Sequence, residues 1–259
     1  MEWILIYLAI KYLGDFHQVY AALKRREFVP LSELERIRMA LAQKKLQALT
    51  IVDDDYPSSL KSINNPPLVI FYQGNRHLFQ TPGLMFTGEF TNPMITQFVD
   101  QAIQEMSQKY TLISNNFKAL DERIIQGFLQ AGKNVIVVLA TSLDDVTFNF
   151  DPQCYPNQLL IVSEFPAGTH PTRQRIAQRN RLAIGLAEAL VIASSYKKSG
   201  IMNLVSHALD QGKDVYCYPG LQTEEDGNNL LIQEGAHLIT SVKAVGAHAK
   251  KPSGISGIM

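Results

Sequence analysis

Along the first 50 residues, apolar side chains recur at helical spacing. Trp3, Ile4, Ile6, Tyr7, Ile10, Leu13 and Phe16 make one stripe, and Val19, Leu23 and Phe28 continue it past a break at Gly14-Asp15. Pro30 opens a second helical unit. Ser32 is its expected N-cap, Glu35 stands at the capping-box position, and Leu34, Ile37, Leu41 and Leu46 carry the stripe. The pattern changes at residue 51. Tyr56-Pro57 and Pro66-Pro67 exclude a long helix, Leu60 and Ile63 point to one short helical turn, and Leu68–Tyr72 reads as a strand closed at Gly74-Asn75.

From residue 84 the two periods alternate. Strands are expected at 84–87, 110–114, 134–139, 159–162, 189–193, 215–218 and 237–239. Helices are expected between them, at 93–109, 121–131, 174–188, 201–211 and 228–234. The strands are near-continuous apolar runs, which is how strands buried on both faces read. Repeated strand-helix-strand units of this kind make a parallel sheet covered by helices on both sides. The fold class is therefore α/β: a mostly parallel sheet over residues 51–245, preceded by a small helical domain over 1–50. A flexible tail is expected over 246–259, where Lys250-Lys251-Pro252 and the glycines carry no apolar period. In such sheets ligands bind beyond the carboxyl ends of the strands, at the helix N-termini.

Composition narrows the function. The chain has 259 residues, of which 46% are hydrophobic and 19% charged, so it can build a full core. Its 24 basic and 24 acidic residues cancel, so any polyanion contact must come from a local cluster. Cys154 and Cys217 lack a CxxC spacing, which argues against a disulfide framework or structural zinc and for a cytoplasmic location. No apolar run reaches the roughly 18–20 residues of a membrane span. The apolar start carries Glu2 where a signal peptide is basic, and it reads as a buried helix.

Motifs of catalysis are missing. There is no GxGxxG, P-loop, GxSxG elbow or HExxH, and the six histidines are scattered. No catalytic set, metal or cofactor is expected. Asp53-Asp54-Asp55 leads into Tyr56-Pro57 and reads as a turn in preference to a cation site. Glu164 follows a strand end; it is a candidate general base, or by preference a carboxylate that fixes a loop.

What does accumulate is positive charge at strand ends. Arg173, Arg175, Arg179 and Arg181 fall within nine positions, with Asn180 among them and no acid between. Guanidinium forks match phosphate oxygens, and Arg175 and Arg179 are four apart on one helix face. Lys197 and Lys198 precede Ser199-Gly200, which starts a helix whose first N–H groups and dipole suit an anion. Ser114-Asn115-Asn116, with Lys118 nearby, sits at a third strand end. The alternative to an anion site is a solvated, salt-bridged helix face.

Three ordered blocks carry a family resemblance. The first is Tyr56-Pro57 through Leu60, Ile63, Pro66-Pro67 and Phe71-Tyr72-Gln73-Gly74-Asn75. The second is Ser163–Gly168 through Arg179-Asn180-Arg181, Gly185-Leu186, Ser199-Gly200 and Ala208, and the third is Tyr218-Pro219-Gly220 and Gly227-Asn228 through Leu231–Ala236. Across residues 50–242 the chain resembles the DprA/Smf DNA-processing proteins. The resemblance implies an extended Rossmann fold, and it loosely matches the N-terminal helices to a SAM-like helical domain. It also implies a non-catalytic protein that binds single-stranded DNA, forms a homodimer and helps load RecA during natural transformation. The DNA pocket would be built by Arg173, Arg179, Arg181 and the Ser199-Gly200 helix start. The dimer and RecA surface would lie near Leu209, Gln233 and Leu238.

The departures are specific. Glu89 stands where the family has an arginine, and Asn115 and Ala119 stand where it has glycines. Ile125 replaces a histidine and Asn157 a lysine. DNA binding is then expected to lean on Arg173–Arg181. Two other readings are a phosphoribohydrolase-like nucleotide enzyme, whose Pro-Gly-Gly-x-Gly-Thr loop is absent at Pro219-Gly220-Leu221-Gln222, and a relative that keeps only dimer or partner binding.

Overall fold

Three helices open the chain: α1 (Glu2–Lys11), α2 (Phe16–Lys24) and α3 (Leu31–Gln43). A computed structural model describes residues 1–106, 110–220 and 225–246 of the chain. Asp15 makes the expected break by capping α2, its carboxylate accepting the Gln18 N–H at 2.9 Å. The start of α3 differs from expectation. Pro30 is the N-cap and no side chain caps the helix, so Ser32 and Glu35 form no capping box. The proline's fixed φ directs the chain into the helix without one.

Residues 47–50, read with the helical segment, form a strand. β1 (Gln47–Thr50) pairs antiparallel with β2 (Val69–Gly74). Four residues are too few for an apolar period to declare a strand; the free edge of β2 decides it. Then follow α4 (Ser58–Lys61), β3 (Gly83–Thr87), α5 (Pro93–Glu105), β4 (Thr111–Ser114), α6 (Ala119–Gln130), β5 (Val135–Leu139) and β6 (Leu159–Ser163). The order continues with α7 (Arg173–Leu186), β7 (Ala187–Ile192), α8 (Ile201–Asp210), β8 (Asp214–Cys217), α9 (Gly227–Gln233) and β9 (His237–Leu238).

The sheet runs β1-β2-β6-β5-β4-β3-β7-β8-β9. From β6 to β9 all neighbours are parallel; β1 and β2 extend it as an antiparallel edge. The alternation of side chains divides the core. Val135 and Val137 of β5 pack with Phe98, Phe128 and Tyr216 on one face, and Ile136 and Val138 pack with Leu182, Leu190 and Leu204 on the other. Both faces are buried, which explains the continuous apolar runs. The helical segment docks on the antiparallel edge, where Leu5, Ile6, Ala9 and Ile37 meet Val69 and Phe71. Gly14 permits the approach: its φ is +76°, and a Cβ there would lie 2.6 Å from the Glu164 carbonyl oxygen.

Among the described residues, no helix is long and apolar enough to cross a membrane. The expected tail lies, beyond Gly246, outside the described residues.

Candidate nucleic-acid interface

Chain order reverses at β3, so β4 and β7 flank it, and the carboxyl ends of β3 and β7 form the switch point where such sheets take ligands. The N-termini of α6, α7 and α8 gather on this side. Thr172 caps α7, its hydroxyl accepting the Arg175 N–H at 3.2 Å.

The four arginines of α7 do not form a row of open cations. Arg173 is exposed. Arg175 is half-buried; it donates to the His170 carbonyl at 2.7 Å and lies 5.6 Å from the Phe165 ring centroid. Arg179 is buried at 5% exposure and donates to the Asn115 carbonyl at 3.0 Å and to Asn180 Oδ1 at 2.9 Å. Arg181 binds Glu164 through both carboxylate oxygens, at 2.6 and 2.7 Å, and reaches the carbonyls of Asn64 and Asn65. No acid lies near Arg181 in sequence, but the turn from β6 into α7 brings one to it. Glu164 is thus a loop-fixing partner of Arg181. Burial pushes its pKa up, and Arg181 works against that rise.

Arg179 anchors a buried polar network under the β4 loop. Asn180 Oδ1 also accepts from Asn115 Nδ2 at 3.0 Å, and Asn180 Nδ2 donates to Asn203 Oδ1 at 2.8 Å. Asp121, 1% exposed, accepts the Thr87 hydroxyl at 2.8 Å and the Phe117 N–H at 3.0 Å. Burial lowers the Arg179 pKa to about 10, countered by Asp121, so it remains a cation at neutral pH. Burial raises Asp121, against its hydrogen bonds and Arg179. Asn115 Oδ1 and Asn116 Oδ1 are buried without a hydrogen-bond partner, which leaves the floor of the loop rich in acceptors. Asn203 was not signalled by the sequence; Asp121 keeps the aspartate of the family's loop after β4 and stands in the first turn of α6, a position that favours a carboxylate.

Two expected anion contacts are changed by local bonding. Ser114 is buried, and its hydroxyl faces the Asn116 N–H at 3.4 Å. At the start of α8 the Ser199 hydroxyl accepts the Ile201 N–H, and the carbonyls of Ser199 and Gly200 accept those of Met202 and Asn203. The helix start that seemed open to a phosphate therefore satisfies its first N–H groups internally. Lys118, Lys197, Lys198 and Gly200 are exposed, and Ser199 is half-buried. Arg173, Lys118, Lys197 and Lys198 are thus the exposed cations in the segments that follow the carboxyl ends of β6, β4 and β7.

The switch point itself is filled by the protein. Ser194 Oγ accepts the N–H groups of Glu89 and Phe90 at 3.2 Å and donates to the Phe90 carbonyl at 2.7 Å. Glu89 accepts the Tyr196 N–H at 3.0 Å, and the Phe90 and Tyr196 rings pack at 4.9 Å. Asn228 donates to the carbonyls of Ile192, Ala193 and Tyr218. The cavity between these loops is only about 10 Å³. A Cβ on Gly88 would lie 2.7 Å from Leu120 and 2.9 Å from Ser194 Oγ, so only glycine lets the strand end approach so closely. The three aspartates at 53–55 form a turn: Asp53 accepts the Thr50 N–H at 2.7 Å, and Asp55 pairs with Arg76. Among the described residues no group of His, Cys, Asp or Glu is arranged to hold a metal ion. At the far end of the sheet, Leu209, Gln233 and Leu238 are all exposed.

Comparison with known proteins agrees with this architecture. The profile of the family described as DNA recombination-mediator protein A matches residues 47–250. DNA processing protein DprA of Streptococcus pneumoniae is 32% identical over 203 residues, covering 76% of this chain and 72% of that protein. The Bacillus subtilis DprA is 27% identical over 87% of this chain and 78% of its own length. In structure, DprA from Streptococcus pneumoniae superposes with a TM-score of 0.77 at 24% identity, covering 98% of this chain and 99% of the other. DNA processing protein A from Helicobacter pylori, solved for its single-stranded DNA binding mode, superposes with a TM-score of 0.67 at 22% identity, over 79% and 95% of the two chains. The arginine helix, the filled switch point and the loops around them thus sit on a shared scaffold, and the chain belongs to the DNA recombination-mediator protein A family, the DprA/Smf DNA-processing proteins.

Proposed function

We propose that this chain is a non-catalytic, cytoplasmic single-stranded DNA-binding protein. As a homodimer, it protects incoming DNA and helps load RecA during transformation and homologous recombination. The observation that carries the reading is that Arg173, Lys118, Lys197 and Lys198 are all exposed and all follow the carboxyl ends of parallel strands, beside the loop that the buried Arg179 holds; we read them as one positive rim. Phosphate contacts depend on the field at the rim and not on net charge, so a neutral chain is no obstacle. The single-stranded DNA binding of the Helicobacter pylori relative supports the same ligand. The switch point is bridged by the protein's own hydrogen bonds from Ser194, Glu89 and Asn228, which supports a non-catalytic role over a nucleotide-cleaving one.

The test is fluorescence anisotropy with a labelled oligodeoxythymidylate, across roughly 50 to 200 mM salt. The proposal expects binding whose logarithm falls linearly with the logarithm of salt. Replacing Lys118, Arg173, Lys197 or Lys198 by alanine should each reduce that slope by about one. Absence of binding at low salt would sink the DNA-binding reading and leave partner binding alone.

A further inference from the structure

The loop from β4 to α6 places an aromatic ring on the positive rim. We infer that Phe117 is a base-stacking platform for single-stranded nucleic acid, so that the site grips bases as well as phosphates. This rests on the single-stranded DNA-binding reading above. Phe117 is 54% exposed and belongs to neither core of the sheet. Packing therefore gives no reason for a phenylalanine between Asn116 and Lys118.

The ring is held on a fixed loop. Asn116 turns the backbone at a φ of +47°, and the next N–H, that of Phe117, is held by the buried Asp121. The Arg179 guanidinium carbon lies 5.7 Å from the ring centroid, and Lys118 Nζ lies 5.0 Å from it. Arg179 cannot leave, because the Asn115 carbonyl and Asn180 hold it. Lys118 is exposed, so its ammonium can move from the ring to a phosphate oxygen, the stronger partner. A ring backed by a buried cation and flanked by a mobile one has the composition of a single-strand site: bases stack on the π face while cations follow the backbone. A protein partner would call for a wider apolar patch, and the neighbours of Phe117 in the loop are Asn115, Asn116 and Lys118.

Stacking is a non-ionic contact, and that separates it from the cations. The experiment measures binding of oligodeoxythymidylate and of an abasic oligomer of equal length by the parent, Phe117→Ala, Phe117→Trp and Phe28→Ala. Phe28 is 82% exposed on the helical segment and serves as a remote aromatic control. Phe117→Ala is expected to weaken thymidylate binding by roughly 5- to 150-fold with the salt slope unchanged. It should leave abasic binding and the melting temperature at parental values. Phe117→Trp should keep the affinity, and its emission, over the constant background of Trp3, should be quenched by DNA. Phe28→Ala should bind like the parent. Retained affinity in Phe117→Ala, or an equal loss on the abasic oligomer, would overturn the platform while leaving DNA binding intact. A parent protein that binds neither oligomer would overturn both readings together.

Discussion

Arg181 reads as a DNA ligand in the sequence and is a largely covered cation paired with Glu164 in the fold, and the difference can be measured. The side chains of Arg181 and Glu164 are 12% and 9% exposed and meet at 2.6 Å. Arg181→Met keeps the apolar stem but leaves Glu164 buried without its counter-charge. Breaking such a pair costs about 3–5 kcal/mol. For a chain of this size each kcal/mol is worth about 2–4 °C, so the melting temperature should fall by about 6–20 °C at neutral pH. Burial already holds the Glu164 pKa above 4.5, and losing Arg181 raises it further. A carboxyl whose folded pKa is raised contributes stability that is present below its unfolded value and lost as pH rises through the folded one. The deficit of Arg181→Met should therefore be small below pH 4.5 and grow toward neutrality. Circular-dichroism melts over that range measure it. Glu164→Gln should destabilise as well, and the double variant less than the sum of the two, because neither charge is then stranded. The charge of Arg181 is already spent on Glu164, so the DNA salt slope of folded Arg181→Met should match the parent. A parental melting temperature together with a slope reduced by about one would refute the pairing and make Arg181 a phosphate ligand.

Three other outcomes follow from the same geometry. Gly88→Ala should cost about 1–3 kcal/mol in urea unfolding, because its Cβ would press on Leu120 and Ser194 Oγ. His207 is half-buried with its Nε2 unpartnered, and burial lowers its pKa from 6.5. Its contribution to stability is present above 6.5 and lost as pH falls through the lower folded value; in His207→Gln this part of the pH dependence should vanish from thermal melts. If the edge strand β9 carries the dimer, Leu238→Lys should convert dimer to monomer in light scattering while the melting temperature of the monomer stays high, since Leu238 is 54% exposed.

The fold was legible because its signal is local and repeated. The run Val135–Leu139 follows the apolar-period helix α6, and similar runs at β4 and β7 follow α5 and α7, so a parallel sheet is the economical solution. The limits of reading appear where a neighbour decides. Gln47–Thr50 became a strand because β2 offered an edge, and α3 began at Leu31 because Pro30 made a cap unnecessary. The site was legible as a concentration of charge on α7 and on the β7 loop, yet the state of each charge was not. Glu164 lies 17 residues from Arg181, and Asn115 lies 64 from Arg179. Nothing in the intervening residues announces either contact.

The sequence by itself determined that a neutral chain would carry an α/β sheet with its cations gathered at the ends of strands, because periodicity and composition act along the chain. It also determined, through the three ordered blocks, which family the chain resembles. The tertiary structure alone decided which cations are open. Burial takes Arg179 out of solvent, the ion pair with Glu164 engages Arg181, and Arg173, Lys118, Lys197, Lys198 and the ring of Phe117 are left exposed. The physical reason is desolvation: a buried charge must be paired or hydrogen-bonded, and its partners come from whichever segments the sheet brings together.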